Sequence, residues 1–144
     1  MRVLILHGAN LNLLGERQPE IYGAQTLTDI NELIRTAARE LRIDVDFAQH
    51  NSEGAIIDAL HAARSDYDAV VMNPGAYSHY SYAIADAIAS IPVPVIEVHL
   101  SNIASREAHR RISVTASACI GSISGFGPRS YVLALHAVAQ TPGK

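Results

Sequence analysis

Met1-Arg2-Val3-Leu4-Ile5-Leu6-His7-Gly8 holds the run that decides the fold. Val3 to Leu6 are continuously apolar and a polar turn follows them. A run this short and unbroken suits a strand covered on both faces, as in a parallel sheet; a half-exposed strand would alternate. Further strands are read along the chain, at Ile43 to Ala48, Asp68 to Asn73, Pro94 to Val98 and Ala118 to Ile123. Between them the apolar spacing turns helical. Ile30, Leu33, Ile34, Ala37, Ala38 and Leu41 mark a helix over Thr28 to Leu41, with Thr26 or Thr28 able to cap it. Ile56, Ala59, Leu60 and Ala63 mark a second over Glu53 to Arg64, with Ser52 as its cap. A third is expected in His79 to Ser90, a short one in Ser105 to Arg111, and a last one over Arg129 to Ala139. Five strands separated by helices predict an α/β domain with a parallel sheet and helices on both faces.

Composition limits the chemistry. At 144 residues, 49% of them hydrophobic and 17% charged, the chain has the size and apolar content of one folded domain, 1–144. A net charge of -3 argues against binding dominated by nucleic acid or an anionic membrane. No apolar run approaches the roughly 20 residues of a membrane span. The first residues read as a strand, because a signal peptide needs a longer apolar stretch and a small-residue cleavage site. The single cysteine, Cys119, excludes an internal disulfide and fits a reducing cytoplasm. The only lysine is Lys144, a poor position for the buried amine of a Schiff base. No Gly-Lys-Ser/Thr phosphate loop exists.

In sheets of this kind a ligand sits beyond the carboxyl ends of the strands. Three polar clusters stand there: His7 to Gly23 after the first strand, Asn73-Pro74-Gly75-Ala76-Tyr77-Ser78-His79 after the third, and Glu97-Val98-His99-Leu100-Ser101-Asn102 after the fourth. Turn chemistry accounts for some of these Asn, Gly, Pro and Ser residues. Glu97 and His99 are two apart on an extended segment, so they point to one face with Val95, while Ile96, Val98 and Leu100 take the other. A carboxylate beside an imidazole orients it and favours its charged form, which makes it a proton donor. Arg17 and Tyr22 lie in the long first loop, between Gly15 and Gly23 as hinges. A phenol is a poor base unless a neighbouring guanidinium favours the phenolate. Arg110 is a partner for a substrate oxygen or carboxylate, or one member of a solvated basic run with Arg106 and Arg111. The amides of Leu100 and Ser101 are expected to open a helical turn, a good carboxylate site.

Four stretches, His7 to Gly15, Arg17 to Gly23, Asn73 to His79 and Glu97 to Asn102, resemble type II 3-dehydroquinate dehydratases in order and spacing. The resemblance runs through Gly125-Phe126-Gly127 and the last helix. It implies a flavodoxin-like three-layer sandwich with a five-stranded parallel sheet, and the trans-dehydration of 3-dehydroquinate to 3-dehydroshikimate through an enolate. It implies that Tyr22 takes a proton from the carbon beside the ketone, that Arg17 keeps Tyr22 ionised, and that Asn10 holds a water or the enolate oxygen. His99, oriented by Glu97, would protonate the departing hydroxyl. Asn73, His79 and Arg110 would hold substrate hydroxyls, with Gly75 beside them, and the Leu100 and Ser101 amides would take the carboxylate. Asp86 would reach a neighbouring subunit's site in a dodecamer of trimers. No metal and no cofactor are implied. Ala9, Tyr80, Tyr82, Ala85, Ala104 and His109 depart from the family's usual residues, and none of these is an implied catalytic group.

Rival readings are weaker. A phospho-receiver lacks its acidic cluster, its acceptor Asp and its lysine. A flavin carrier lacks a clear phosphate loop. A zinc hydrolase lacks a His-Glu-x-x-His pattern among its seven histidines. Gly121-Ser122-Ile123-Ser124-Gly125 has the frame of a serine nucleophile elbow, but Ile123 is at its centre.

Overall fold

The strands form one sheet, buried at its three central strands, in the computed structural model, which describes residues 1–16, 18–22 and 24–141, with the backbone alone for Pro19 and Tyr22. Strands β1 (Arg2–His7), β2 (Asp44–Gln49), β3 (Ala69–Asn73), β4 (Val95–His99) and β5 (Gly121–Ser124) lie in the order β2-β1-β3-β4-β5. Every pairing is parallel. This is the flavodoxin-like order, with its switch point between β1 and β3. The α-helices are α1 (Pro19–Tyr22), α2 (Leu27–Leu41), α3 (Glu53–Asp66), α4 (Tyr82–Ser90) and α5 (Arg129–Ala139).

Alternate strand residues feed two cores. Val3, Ile5, Val71, Ile96 and Val98 pack under α2 and α5, against Ile30, Ile34, Tyr131 and Leu135. Leu4, Leu6, Val70, Met72 and Val95 pack under α3 and α4, against Ile56, Leu60, Ile84 and Ile88. Both faces are covered at the central strands β1, β3 and β4, as the apolar runs Val3 to Leu6 and Ala69 to Met72 require.

The helix starts follow local hydrogen bonding. Thr26, rather than Thr28, caps α2: its side chain accepts from the Asp29 N–H, and Asp29 reaches back to the Thr26 N–H. Ser52 caps α3 and Ser81 caps α4. The cap at Ser81 corrects the third helix, expected from His79. Residues Gly75–His79 form a separate 3-10 turn, and the α-helix begins only at Tyr82. The fifth strand is also corrected. Ala116–Ala118 is a 3-10 turn, Ala118 and Cys119 pack on the α3 and α4 core, and pairing begins at Gly121. The expected helix in Ser105 to Arg111 is two single 3-10 turns, Ile103–Ser105 and Ala108–Arg110.

Two glycines bring the loops after β1 and β3 together. The Gly8 N–H donates to the Asn73 carbonyl at 2.7 Å. A Cβ on Gly8 would lie 2.5 Å from the Pro74 oxygen, inside any tolerable contact. Gly75 has φ +65°, and a Cβ there would lie 2.9 Å from the Ala9 oxygen. Asn10 takes the left-handed conformation at φ 69°, which asparagine tolerates better than most residues. Its N–H donates to Asn51 Oδ1 at 2.9 Å, and Gln49 supports the same turn through the Gly8 carbonyl.

Candidate active site

The carboxyl ends of β1, β3 and β4 open onto one cleft of about 160 Å³. Asn10 enters from the β1 loop. Asn73, Gly75 and His79 come from the end of β3 and the turn after it, and His99, Leu100 and Ser101 from the end of β4. Arg106 and Arg110 come from the segment that follows. Among the described residues this lining contains no carboxylate, so its fixed charges are cationic and suit an anionic ligand.

His99 and Glu97 form the charged centre. Both face the α3 and α4 side of the sheet, as the two-residue spacing predicts. Glu97 is fully buried, and its Oε2 lies 2.8 Å from His99 Nε2. Ser113 donates to the same oxygen at 2.6 Å, and Thr115 donates to Oε1. Burial pushes the Glu97 carboxyl up, but the hydrogen bonds from His99, Ser113 and Thr115 outweigh it and leave the group below its ordinary range. An ionised carboxylate only accepts, so His99 Nε2 must carry hydrogen. Nδ1 is then the atom that gains or loses a proton at the cleft. The arrangement presents an oriented imidazole for proton transfer.

Thr115 and Ser113 were not legible as site residues. They flank Val114 on a loop 16 and 18 residues beyond Glu97. Replacing Thr115 with valine keeps the shape and removes one donor to a buried charge. The variant is expected to lose about 1.5–3 kcal/mol of stability at neutral pH. Glu97 is depressed below 4.5, so its stabilisation is present above that pH and fades as the pH falls through the folded-state value. The gap between wild type and Thr115→Val therefore closes toward acid pH. Urea titrations at pH 7.5 and 4 check this; equal gaps would contradict it.

His79 Nδ1 lies 2.8 Å from the Ile112 carbonyl. A carbonyl only accepts, so Nδ1 carries hydrogen and Nε2 is left for a ligand. Arg110 Nε donates to Glu107 at 2.7 Å. The Arg110 hydrogen bond holds the exposed Glu107 carboxyl below its usual range. Arg106 donates to Ser101 Oγ at 3.2 Å and stands 3.9 Å from Glu107. The sequence reading left Arg106 in a solvated basic run. Its place in the cleft comes from the chain turning back at Ile103–Ser105. That turn opens at Asn102, whose side chain accepts from the Ala104 N–H, and not at Leu100 and Ser101 as expected.

One expected residue lies elsewhere. Asp86 is on the exposed face of α4 and does not line this chain's cleft. Arg17 and the Tyr22 side chain lie outside the described residues; the Tyr22 backbone ends α1. Among the described residues no group of three or more His, Cys, Asp or Glu is placed to hold a metal ion.

Comparison with known proteins matches the family model Dehydroquinase class II to residues 1–139. The chain is 57% identical over 137 residues to the 3-dehydroquinate dehydratase of Caldanaerobacter subterraneus subsp. tengcongensis, covering 95% of this chain and 93% of that protein. It is 51% identical over 143 residues to that of Pelotomaculum thermopropionicum, covering 99% of each. The crystal structure of the type II dehydroquinase from Butyrivibrio crossotus superposes with a TM-score of 0.94 at 44% identity, covering 96% of this chain and 97% of that one.

Proposed function

The chain belongs to the class II dehydroquinase family, and from that premise we propose how its cleft carries out the dehydration of 3-dehydroquinate. It is a hydro-lyase of the 3-dehydroquinate dehydratase kind. The observation that carries the residue assignment is the buried Glu97–His99 pair, aimed into a cationic cleft at the strand ends.

The substrate is a carboxylate that bears a ketone and hydroxyls. Its carboxylate binds at Leu100 and Ser101, and its hydroxyls bind Asn73, Gly75, His79 and Arg110. Arg106 adds a second cation to the same wall. Tyr22, as the phenolate favoured by Arg17, removes the proton from the carbon beside the ketone. The electron pair of that C–H bond moves into an enolate, whose oxygen Asn10 holds directly or through a water. The enolate then collapses back to the ketone and expels the hydroxyl one carbon further on. His99 Nδ1 gives that oxygen a proton, so it leaves as water. The Nε2–H remains on Glu97 throughout, which keeps the ring aligned. The proton gained by Tyr22 replaces the one His99 has lost, by way of solvent. Tyr22 and His99 make both proton transfers with the substrate, with no metal or cofactor.

The reaction places the chain in the shikimate route to aromatic amino acids, or in quinate breakdown. The assembly proposed is a dodecamer of trimers. Asp86 faces outward from its own cleft, free to approach a neighbour's, and Tyr80 and Tyr82, beside and on α4 respectively, are 60% and 71% exposed. No helix of the described residues is long and apolar enough to cross a membrane, and the cytoplasm is the proposed compartment. The direct test of the reaction is addition of 3-dehydroquinate to the purified chain. The conjugated enone of the product should appear as rising near-ultraviolet absorbance. A flat trace would overturn the function.

A further inference from the structure

Asn10 is assigned to the enolate oxygen, yet its own turn does not fix it. It sits at φ 69° and ψ 1° and opens the 3-10 turn Leu11–Leu13, where its side chain makes no capping hydrogen bond. A residue with a Cβ keeps the left-handed region only where its surroundings hold it there. The hold comes from the end of β2. The Asn10 N–H donates to Asn51 Oδ1 at 2.9 Å. Gln49, the last residue of β2, pairs in register with His7. Its Nε2 donates to the same Asn51 oxygen at 3.0 Å and to the Gly8 carbonyl at 3.2 Å. The Asn51 carbonyl accepts from the Tyr77 hydroxyl at 2.8 Å. Tyr77 belongs to the Gly75–His79 turn, which supplies the β3 side of the cleft.

Backbone groups set the direction of both amides. The Asn10 N–H can only donate, so the Asn51 atom facing it is Oδ1. Gln49 faces that oxygen and the Gly8 carbonyl, two acceptors, so its facing atom is Nε2 and its two hydrogens serve them. Asn12 Oδ1, 3.5 Å from the same nitrogen, stands at the limit of a hydrogen bond. Asn51 therefore ties the loop after β1 to the turn after β3, with its side chain on one and its backbone on the other. Neither Asn51 nor Gln49 lines the cleft.

We propose that Asn51 is a positioning residue for the dehydration. It holds Asn10 in the left-handed conformation, braced by Gln49 and Tyr77, so that the Asn10 side chain meets the enolate oxygen in one place. The proposal rests on the reading of the cleft as the 3-dehydroquinate site, with Asn10 at the enolate. It adds that a loop outside the cleft sets how firmly the intermediate is held. The enolate exists only after the carbon-bound proton has left, so loosening this contact acts on kcat more than on KM.

Two measurements test it. The first needs no substrate: amide hydrogen exchange in the free chain, wild type against Asn51→Ala. The variant should fold, because Ser52 still caps α3. Its Asn10 N–H should exchange about 3- to 10-fold faster, the worth of one neutral hydrogen bond. The Gly8 N–H, which donates to the Asn73 carbonyl, should keep its rate. An unchanged Asn10 rate, or an equal acceleration at Gly8, would overturn the brace even if the enzyme is active. The second is a double-mutant cycle on turnover of 3-dehydroquinate. Asn51→Ala should lower kcat about 3- to 10-fold, with KM within about 2-fold. Asn10→Gly removes the amide and keeps the left-handed backbone accessible; in that background Asn51→Ala should leave kcat unmoved. A second loss of the same size there would overturn the positioning role, because a purely structural Asn51 would act with or without the Asn10 side chain. An Asn10→Gly variant with wild-type kcat would overturn it too, since nothing would remain to position. Failure of the wild type to dehydrate 3-dehydroquinate would sink the functional reading and this role with it, while hydrogen exchange would still decide the brace.

Discussion

Alanine at position 99 is expected to lower kcat by about 10²- to 10⁴-fold, the usual contribution of a positioned general acid. Hydroxide is a poor leaving group, and His99 Nδ1 is the proton source assigned to it. The fold should survive. Glu97 loses one of three hydrogen bonds, but Ser113 and Thr115 still hold its two oxygens, and the ring it loses stands at the cleft rather than in the core. Steady-state kinetics with circular dichroism separate the two effects. A folded variant with kcat within about 3-fold of wild type would contradict the assignment.

Phenylalanine at position 22 is expected to cost a similar factor, about 10²- to 10⁴-fold in kcat, by a different route. The substitution removes a single oxygen, so stability should change little. What is lost is the only group assigned to take the carbon-bound proton. An ordinary phenol, with a pKa near 10, is mostly protonated at neutral pH, so the role depends on Arg17 as well. Arg17→Met should therefore also depress kcat, and its deficit should shrink as the pH rises and the phenol ionises unaided. Near-normal turnover by Tyr22→Phe would mean that another base acts.

Much of the fold was legible because both faces of the central strands β1, β3 and β4 are buried. Val3 to Leu6 and Val70 to Met72 read as covered strands and are buried as such, and the last helix matches its expected span, Arg129 to Ala139. The fifth strand was misplaced because Ala118-Cys119-Ile120 is apolar for another reason: Ala118 and Cys119 pack on the α3 and α4 core before pairing starts. Periodicity cannot separate a covered strand from an apolar turn. The third helix was extended too far upstream because His79 precedes a serine cap that competes only weakly in sequence.

The site was legible where chemistry and spacing coincide. Glu97 and His99 share a face because a strand alternates, and their 2.8 Å contact follows from that. The partners of that pair were hidden. Ser113 and Thr115 meet Glu97 through a loop whose path no local pattern specifies. Arg106 looked solvated because the turn that carries it into the cleft is a single 3-10 turn without helical periodicity.

In the proposed reaction one cleft, closed at its back by the Glu97–His99 pair, holds the reacting ring. A crystal structure of the chain with bound 3-dehydroshikimate tests this most directly. The ligand carboxylate should lie on the Leu100 and Ser101 amides. His99 Nδ1 should lie about 2.6–3.2 Å from the water, or the vacated hydroxyl position, at the double bond. A ligand seated elsewhere, or a His99 ring turned away from the reacting carbon, would contradict the account.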